Sequence, residues 1–162
     1  LASSLIRGKR NEAKAVLSSW LQGRSQSALE SSARQFARTH ISCWLREDIL
    51  ERVEAHRSAG ARVVIVSASY DLYVSEVGEI TGAEAVLATQ IEFVDGTCTG
   101  QLATPNCRGE EKVRRLSEWL EQNCSTSEEV RVVAYGDSSG DDAMLAFANE
   151  GVRVERQRRW LR

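Results

Sequence analysis

The chain has 162 residues, a formal net charge of −2 at pH 7, 42% hydrophobic residues and 27% charged residues. These values are typical of one globular domain with a buried core rather than of a disordered chain. The near-neutral charge gives no reason to expect nucleic acid as a partner, and no apolar run approaches the ~20 residues of a membrane span.

The first 45 residues carry helical patterns and no strand signal. Apolar residues recur at helical spacing up to Leu21, and Gln22-Gly23 ends the run. Ser27, with Glu30 three residues later, has the spacing of a capping box and predicts the start of a second helix.

From about residue 46 onward, apolar strands alternate with helices. The predicted elements are a helix from Asp48 to Ala59, a strand at 62–69, a helix from Asp71 to about Ile80, a strand at 85–89, a hairpin at 91–102, a helix from about Gly109 to Gln122, a strand at 130–135, a helix at 141–149 and a short final strand VRVE. Asp95-Gly96 in the hairpin predicts a tight type I′ turn with two positive φ angles. This alternation predicts an α/β fold with a parallel sheet covered on both faces.

Four cysteines occur in the chain, at Cys43, Cys98, Cys107 and Cys124. None forms a Cys-x-x-Cys pair or has a histidine at zinc-site spacing. Isolated cysteines in a domain of this size are typically reduced residues of a cytosolic protein, so we predict a cytoplasmic location. His40 and His56 lie in helical stretches, and we assign both a structural role.

A serine hydroxyl follows the apolar residues of the strand at 62–69. Ser67 ends the run VVIVS, and Ala68 and Ser69 lead into the helix that begins at Asp71. Ligands of open α/β sheets bind beyond the carboxyl ends of the strands, and the N–H groups of a helix N-terminus attract anions. The segment is therefore either an anion site or an ordinary helix cap made by Ser69 or Asp71.

Three aspartates follow the strand at 130–135, in Gly-Asp-Ser-Ser-Gly-Asp-Asp. Two carboxylates ~4 Å apart repel each other by ~4 kcal/mol at an effective dielectric constant of 20, which predicts a cation among them. Magnesium fits, with Asp137 as the inner ligand, Asp141 bound directly or through water, and Asp142 pointing sideways. The alternative is a Gly-Ser turn in which Asp141 caps the next helix.

Lys112 opens the helix in NCRGEEKVRRL, and by itself it is typical of a solvated helix. In combination, Ser67, Lys112 and the later Gly-Asp-x-x-x-Asp resemble motifs two, three and four of the haloacid dehalogenase superfamily. The segments around them resemble its phosphoserine-phosphatase-like subfamily, often called class IB, over residues 46–154. A response-regulator receiver combines the same residue types, but its acidic residues precede its lysine.

The resemblance implies a fold and an activity. It implies a Rossmannoid parallel sheet of the haloacid dehalogenase type at 46–162 and a small helical cap at 1–45. The implied activity is that of a magnesium-dependent phosphomonoesterase that forms and hydrolyses an aspartyl-phosphate. The implied substrate is a small phosphate ester or the headgroup phosphate of a phospholipid, since some members act on phosphoserine and others on phosphatidylglycerophosphate.

The resemblance also implies roles for individual residues. Ser67 and the N–H groups of Ala68 and Ser69 would hold the phosphoryl oxygens. Lys112 would balance the charge on phosphate and nucleophile. The Mg²⁺ ligands would be Asp137 and Asp141.

The chain departs from the family at the first motif. Family members carry Asp-x-Asp-Gly-Thr at the end of a central first strand, and its first aspartate is the nucleophile. The only aspartate before Ser67 is Asp48, which lies in the helical REDILERV with no apolar strand before it. Because neighbouring strands lie ~4.8 Å apart, the missing strand predicts a gap near 10 Å or a re-pairing of the sheet. Since the chain also lacks an initial methionine, we expect an N-terminally truncated form that is inactive as it stands.

The alternative is a catalytically inert module that binds phosphate or phospholipid in the pocket of Ser67 and Lys112. The cap of such families selects the substrate, and the first helix here is basic, with Arg7, Lys9, Arg10 and Lys14. These cations would favour a second anionic group or an anionic membrane surface. A solvated helix face is the simpler interpretation.

Overall fold

The computed structural model describes residues 13–41, 45–124 and 129–155. The chain divides into two compact units, an N-terminal unit of Leu1–Asn106 and a C-terminal unit of Cys107–Arg162. Cys43 and the basic residues Arg7, Lys9 and Arg10 lie outside the described residues. No helix among the described residues is long and apolar enough to cross a bilayer.

The N-terminal unit contains four described helices and four strands. Helix α1 covers residues 13–19. The elements that follow are α2 (Gln26–Phe36), a π-helical turn (Ala37–Ile41), α3 (Glu47–Ser58), β1 (Val64–Tyr70), α4 (Asp71–Thr81), β2 (Ala85–Thr89), β3 (Ile91–Val94) and β4 (Thr97–Leu102). The C-terminal unit contains α5 (Glu110–Asn123), β5 (Val133–Gly136), α6 (Asp142–Phe147) and β6 (Glu150–Arg153).

Parallel pairing occurs in both units. β1 pairs with β2 from Val64↔Ala85 onward, and β5 pairs with β6 from Val133↔Glu150 onward. Each pair is joined by a helix, as the alternation of elements predicted, and the α/β class is confirmed. Within the described residues the strands form three two-stranded sheets, the third being the antiparallel β3–β4 hairpin.

The β3–β4 turn is confirmed as predicted, with φ of 49° at Asp95 and 72° at Gly96. The start of α2 is a correction. Its N-cap is Ser25, whose Oγ accepts the N–H of Ala28 at 3.3 Å, so the predicted start at Ser27 was two residues late. The reason is tertiary: the residues just before α2 pair with β4, and Ser25 is bridged to Thr97, so the extended backbone ends there.

The core of the N-terminal unit lies between α2 and the hairpin. Leu29, Ile91 and Cys98 are buried together, and the partly buried side chains packed on them include Tyr70. The His40 ring stacks on Phe36 with 5.0 Å between ring centroids, and its structural role stays a prediction. Among the described cysteines, Cys98 and Cys107 are buried thiols and Cys124 is partly exposed.

Candidate functional site

The carboxyl end of β1 forms a bulge. Pairing with β2 is regular up to Ser67 and resumes at Tyr70, so Ala68 and Ser69 protrude between them; we call Ser67, Ala68 and Ser69 the Ser67 bulge. The Ser69 N–H donates to Ser67 Oγ at 3.1 Å. A hydroxyl oxygen that accepts a bond keeps its own proton for donation, so Ser67 can serve as a donor to an anion.

Helix α4 begins directly after this bulge. Its N-cap residue is Tyr70, which makes no side-chain capping bond, so Ser69 is not the N-cap. Asp71 Oδ1 accepts the N–H of Leu72 at 2.9 Å, which satisfies one amide of the first turn. The capping alternative is thus wrong for Ser69 and correct in part for Asp71.

Asp137 and Asp141 lie beyond the carboxyl end of β5 in different surroundings. The Asp137 side chain is exposed and makes no hydrogen bond or ion pair within the described residues. Asp141 is 7% exposed, and its Oδ1 lies 2.7 Å from Lys112 Nζ. Its Oδ2 accepts the N–H of Ser138 at 2.9 Å and the Ser138 hydroxyl at 2.7 Å.

These contacts decide the charge of Asp141. Burial alone would raise the pKa of this carboxyl group. The hydrogen bonds from Lys112 and Ser138, with the positive charge of Lys112, outweigh burial and lower the pKa of Asp141 below its ordinary value. Asp141 is therefore a carboxylate at neutral pH, in direct contact with the ammonium group of a buried lysine.

Asp142 has a separate cationic partner. Its carboxylate pairs with Arg153, which also donates to the carbonyl of Ser138 at 2.7 Å. The sequence predicted a cation among the aspartates. In the structure, side chains of the C-terminal unit itself supply one cation to Asp141 and another to Asp142.

Two glycines, to which the sequence analysis assigned no separate role, allow close approaches in this loop. A Cβ at Gly136 would lie 2.5 Å from the Cβ of Asp141, so only glycine lets the strand end approach that side chain. A Cβ at Gly140 would displace the guanidinium of Arg108, a flexible group that donates to Ser139 Oγ at 3.1 Å. The signal was present in the sequence, since both glycines flank the Asp-Ser-Ser segment.

The oxygen donors at this loop fit a hard divalent cation. No group of three or more His, Cys, Asp or Glu side chains placed to hold a metal occurs in the part of the chain that the structure describes. Three of the roughly four acceptor positions of the Asp141 carboxylate are used by Lys112 and Ser138, which leaves one. Magnesium commonly takes one or two carboxylates and completes its octahedron with water and phosphate, so an exposed Asp137 and a partly used Asp141 suit it.

The structure brings the candidate residues together in two groups. Ser67, Ala68 and Ser69 share the bulge of the N-terminal unit. Lys112 and Asp141 form their ion pair in the C-terminal unit, where Asp137 follows the neighbouring strand. That Ser67 and Lys112 face one phosphate stays a prediction.

This combination of an α/β fold and polar strand ends defines a class. The chain belongs to the haloacid dehalogenase-like hydrolases, since the profile of that family matches residues 1–146. The resemblance noted in the sequence is confirmed for the superfamily, and phosphoserine phosphatases occur among both the sequence relatives and the structural neighbours.

Three relatives give the range of similarity. Protein CicA of Caulobacter vibrioides is 38% identical over 153 residues, which are 91% of this chain and 66% of CicA. The histidinol-phosphatase of Neisseria meningitidis serogroup C is 30% identical over 105 residues, 63% of this chain and 47% of the enzyme. The phosphoserine phosphatase of Streptococcus thermophilus is 26% identical over 117 residues, 72% of this chain and 52% of the enzyme.

Solved structures support the fold. A Bordetella pertussis Tohama I protein of unknown function superposes with a TM-score of 0.77 at 23% identity, covering 89% of this chain and 67% of that protein. A phosphoserine phosphatase solved as a phospho-aspartyl intermediate analogue gives a TM-score of 0.62 at 20% identity, covering 90% of this chain and 64% of that enzyme. The chain thus spans about half to two thirds of the length of the relatives it matches.

Proposed function

We propose that this chain carries the phosphate-binding, charge-balancing and metal-binding parts of a magnesium-dependent phosphomonoesterase. The observation that supports this most directly is the buried pair of Lys112 and Asp141 beyond β5, at 2.7 Å. A buried ion pair stabilises a fold no more than well-packed apolar residues of similar volume would. A functional role therefore accounts better for its presence than stability does. Family membership and the phosphatases among the relatives support the same proposal.

The phosphoryl group would bind at the Ser67 bulge. The Ser67 hydroxyl would donate its proton to one phosphoryl oxygen, since its oxygen already accepts the Ser69 N–H. The Ala68 N–H would be a further donor, whereas the Ser69 N–H, which donates to Ser67 Oγ, would act on the phosphate through that hydroxyl. The start of α4 adds the positive end of a helix dipole. In this proposal Lys112 balances the charge on the phosphate and the nucleophile, and Asp141 orients its ammonium group.

Asp137 and Asp141 would hold magnesium. When bound, this ion polarises the phosphoryl oxygens and screens the phosphate from the carboxylates. Asp137 is the more accessible ligand, and Asp141 contributes its remaining acceptor position directly or through a water molecule.

The sequence lacks the motif that supplies the nucleophile in this family. It has no Asp-x-Asp motif, and the sequence beside Ser67 provides no general base. We therefore propose that the 162-residue chain alone hydrolyses no phosphomonoester, because the covalent route needs a nucleophilic carboxylate.

The test is p-nitrophenyl phosphate turnover with magnesium, measured on the 162-residue chain and on a version that includes the coding sequence upstream of Leu1. We expect background rates from the first and turnover from the second. Turnover by the 162-residue chain would show that a nucleophile lies within it. An inactive longer version that still binds inorganic phosphate would favour the inert binding module, the alternative that the missing motif supports.

The names of the relatives favour a small phosphate ester over a phospholipid. Phosphoserine and histidinol phosphate are the substrates to test first, with phosphatidylglycerophosphate in vesicles as the lipid comparison. We also retain the cytoplasmic location as a proposal, which rests on the isolated cysteines.

A further inference from the structure

Lys14 of α1 reaches the carboxyl end of β1 within the N-terminal unit. Its ammonium group donates to the carbonyl oxygen of Ala68 and lies 3.3 Å from Asn106 Oδ1. It also lies over the Tyr70 ring, 4.5 Å from the ring centroid. The solvated helix face favoured from sequence is therefore wrong for this lysine.

The backbone of α1 is held in place over the same tyrosine. Ser18, which is fully buried, lies with its Oγ 2.8 Å from the Tyr70 hydroxyl and donates to the Lys14 carbonyl at 2.9 Å. The Tyr70 hydroxyl is itself 3.2 Å from that carbonyl oxygen. Lys14 is thus fixed at both its backbone and its ammonium group, which distinguishes it from a mobile surface lysine.

Lys14 contacts the peptide at the centre of the Ser67 bulge. The Ala68 carbonyl and the Ser69 N–H belong to one planar trans peptide, so they point in opposite directions. The carbonyl is held on one side by Lys14 and by the buried hydroxyl of Thr89, at 3.1 Å from Thr89 Oγ1. The N–H on the other side consequently points at Ser67 Oγ, to which it donates at 3.1 Å.

We propose that Lys14 is a positioning residue for phosphate binding: it locks the Ala68–Ser69 peptide so that the Ser67 hydroxyl is presented as a donor. This inference rests on the proposed function of the Ser67 bulge. It means that α1 takes part in phosphate affinity through the backbone, and its positive charge adds attraction for a dianion bound at the bulge.

The experiment is a titration of the 162-residue chain with inorganic phosphate, followed by calorimetry. Lys14→Met keeps the length of the side chain and removes its charge and donors. We expect the dissociation constant for phosphate to rise about tenfold, as for the loss of one charge-assisted hydrogen bond. Lys14→Arg should recover part of the affinity. Hydrogen exchange of the Ser69 amide should accelerate in Lys14→Met while exchange in the β3–β4 hairpin stays as in the original chain.

Two variants serve as controls. Arg38→Met removes an exposed cation from the same unit and should leave phosphate binding unchanged. Ser67→Ala should weaken it, which tests the proposed phosphate site separately. If Lys14→Met does not fold, Thr89→Val removes the other donor to the Ala68 carbonyl at constant shape and should weaken phosphate binding about threefold.

The outcomes separate the two proposals. The role of Lys14 is overturned if Lys14→Met binds phosphate with unchanged affinity while Ser67→Ala binds it more weakly. If Lys14→Met does not fold, the same conclusion follows from unchanged affinity in Thr89→Val. In both cases the proposed function still stands. Unchanged affinity in Ser67→Ala, or no phosphate binding by the original chain, overturns the phosphate site and the role of Lys14 with it. Equal losses of phosphate affinity in Lys14→Met and Arg38→Met would show that only the net charge matters, and they would also overturn the proposal.

Discussion

Asp141 and Asp142 are adjacent in sequence, but their ion pairs differ in exposure. The side chains of Asp141 and Lys112 are 10% and 7% exposed, whereas those of Asp142 and Arg153 are 59% and 49% exposed. Removing one member of a buried pair leaves a charge without its counterion in a poorly solvated place, while an exposed charge is solvated by water. Replacing each aspartate by asparagine removes the same charge, so a difference between their effects on the free energy of unfolding reports the difference in burial.

Asp141→Asn is expected to lower the free energy of unfolding by about 3 kcal/mol, because Lys112 is then buried without its carboxylate. Asp142→Asn, the matched control, should lower it by at most about 1 kcal/mol. Urea unfolding at pH 7 measures both. Equal effects of the two substitutions would contradict a buried, closed pair at Asp141.

Substitution of Asp137 should weaken metal binding without affecting the stability of the fold. Because its side chain is exposed and makes no hydrogen bond or ion pair within the described residues, Asp137→Asn should leave the free energy of unfolding within about 0.5 kcal/mol of the original value. We expect it to weaken Mg²⁺ binding at least tenfold, since a neutral amide replaces a carboxylate ligand. Magnesium titration by calorimetry measures this, with Asp142→Asn as the control; unchanged Mg²⁺ affinity would refute the assignment of Asp137.

At the scale of one element, helix α5 carries an ion-pair cluster on its first turns. Glu111 accepts hydrogen bonds from Arg114 at 2.7 Å and from Arg115 at 2.8 Å. The bond from Arg114 is the main cause that holds the pKa of Glu111 at about 2, with Arg115 adding to it and burial opposing both. A pKa below the ordinary value means that the folded state favours the carboxylate.

This cluster predicts a pH-dependent contribution to stability. It is fully present above the ordinary pKa of a glutamate, near 4.5, and is lost as the pH falls through the folded pKa of about 2. Glu111→Gln should therefore be less stable than the original chain by about 1 kcal/mol at pH 7, and the difference should shrink below about pH 4.5.

The measurement is urea unfolding of both proteins at a series of pH values from 7 to 3. Glu118→Gln is the matched control, since Glu118 pairs with the same Arg114 through a side chain that is 52% exposed, and it should cost less at pH 7. A Glu111→Gln difference that stays constant down to pH 3 would contradict the depressed pKa of Glu111.

At the scale of the whole molecule, the parallel strands form short sheets. β1 and β5 each pair with one strand within the described residues. Two-stranded sheets are marginally stable in water, and the edges of short sheets can pair with other chains. Pairing along such edges is the physical reason to expect association.

We expect the 162-residue chain to associate as its concentration rises through the micromolar range. Sedimentation velocity at several concentrations measures this, and the version extended upstream of Leu1 is the comparison. If the sedimentation coefficient of the 162-residue chain is that of a monomer at every concentration, the strand edges are protected in solution and the expectation fails.

The sequence by itself determined the kinds and order of the elements, because these follow from interactions over a few residues. The strand at β2 and the type I′ turn at Asp95-Gly96 were predicted at their observed positions. Helix α4 was predicted from Asp71 to about Ile80 and covers Asp71–Thr81, with Gly82 as its C-cap at φ of 64°. The pattern that resembles the haloacid dehalogenase superfamily was also readable, since its residues stand at strand and helix ends.

The tertiary structure alone decided which polar groups meet. Four basic residues in the first helical segment look equivalent in sequence, and packing of α1 against Tyr70 turns Lys14 towards Ala68. Pairing with β4 moved the start of α2 to Ser25 although Ser27 has a capping-box spacing. Lys112 pairs with Asp141 because a buried ammonium group requires a counterion, and which carboxylate supplies it depends on how the chain packs rather than on local preference.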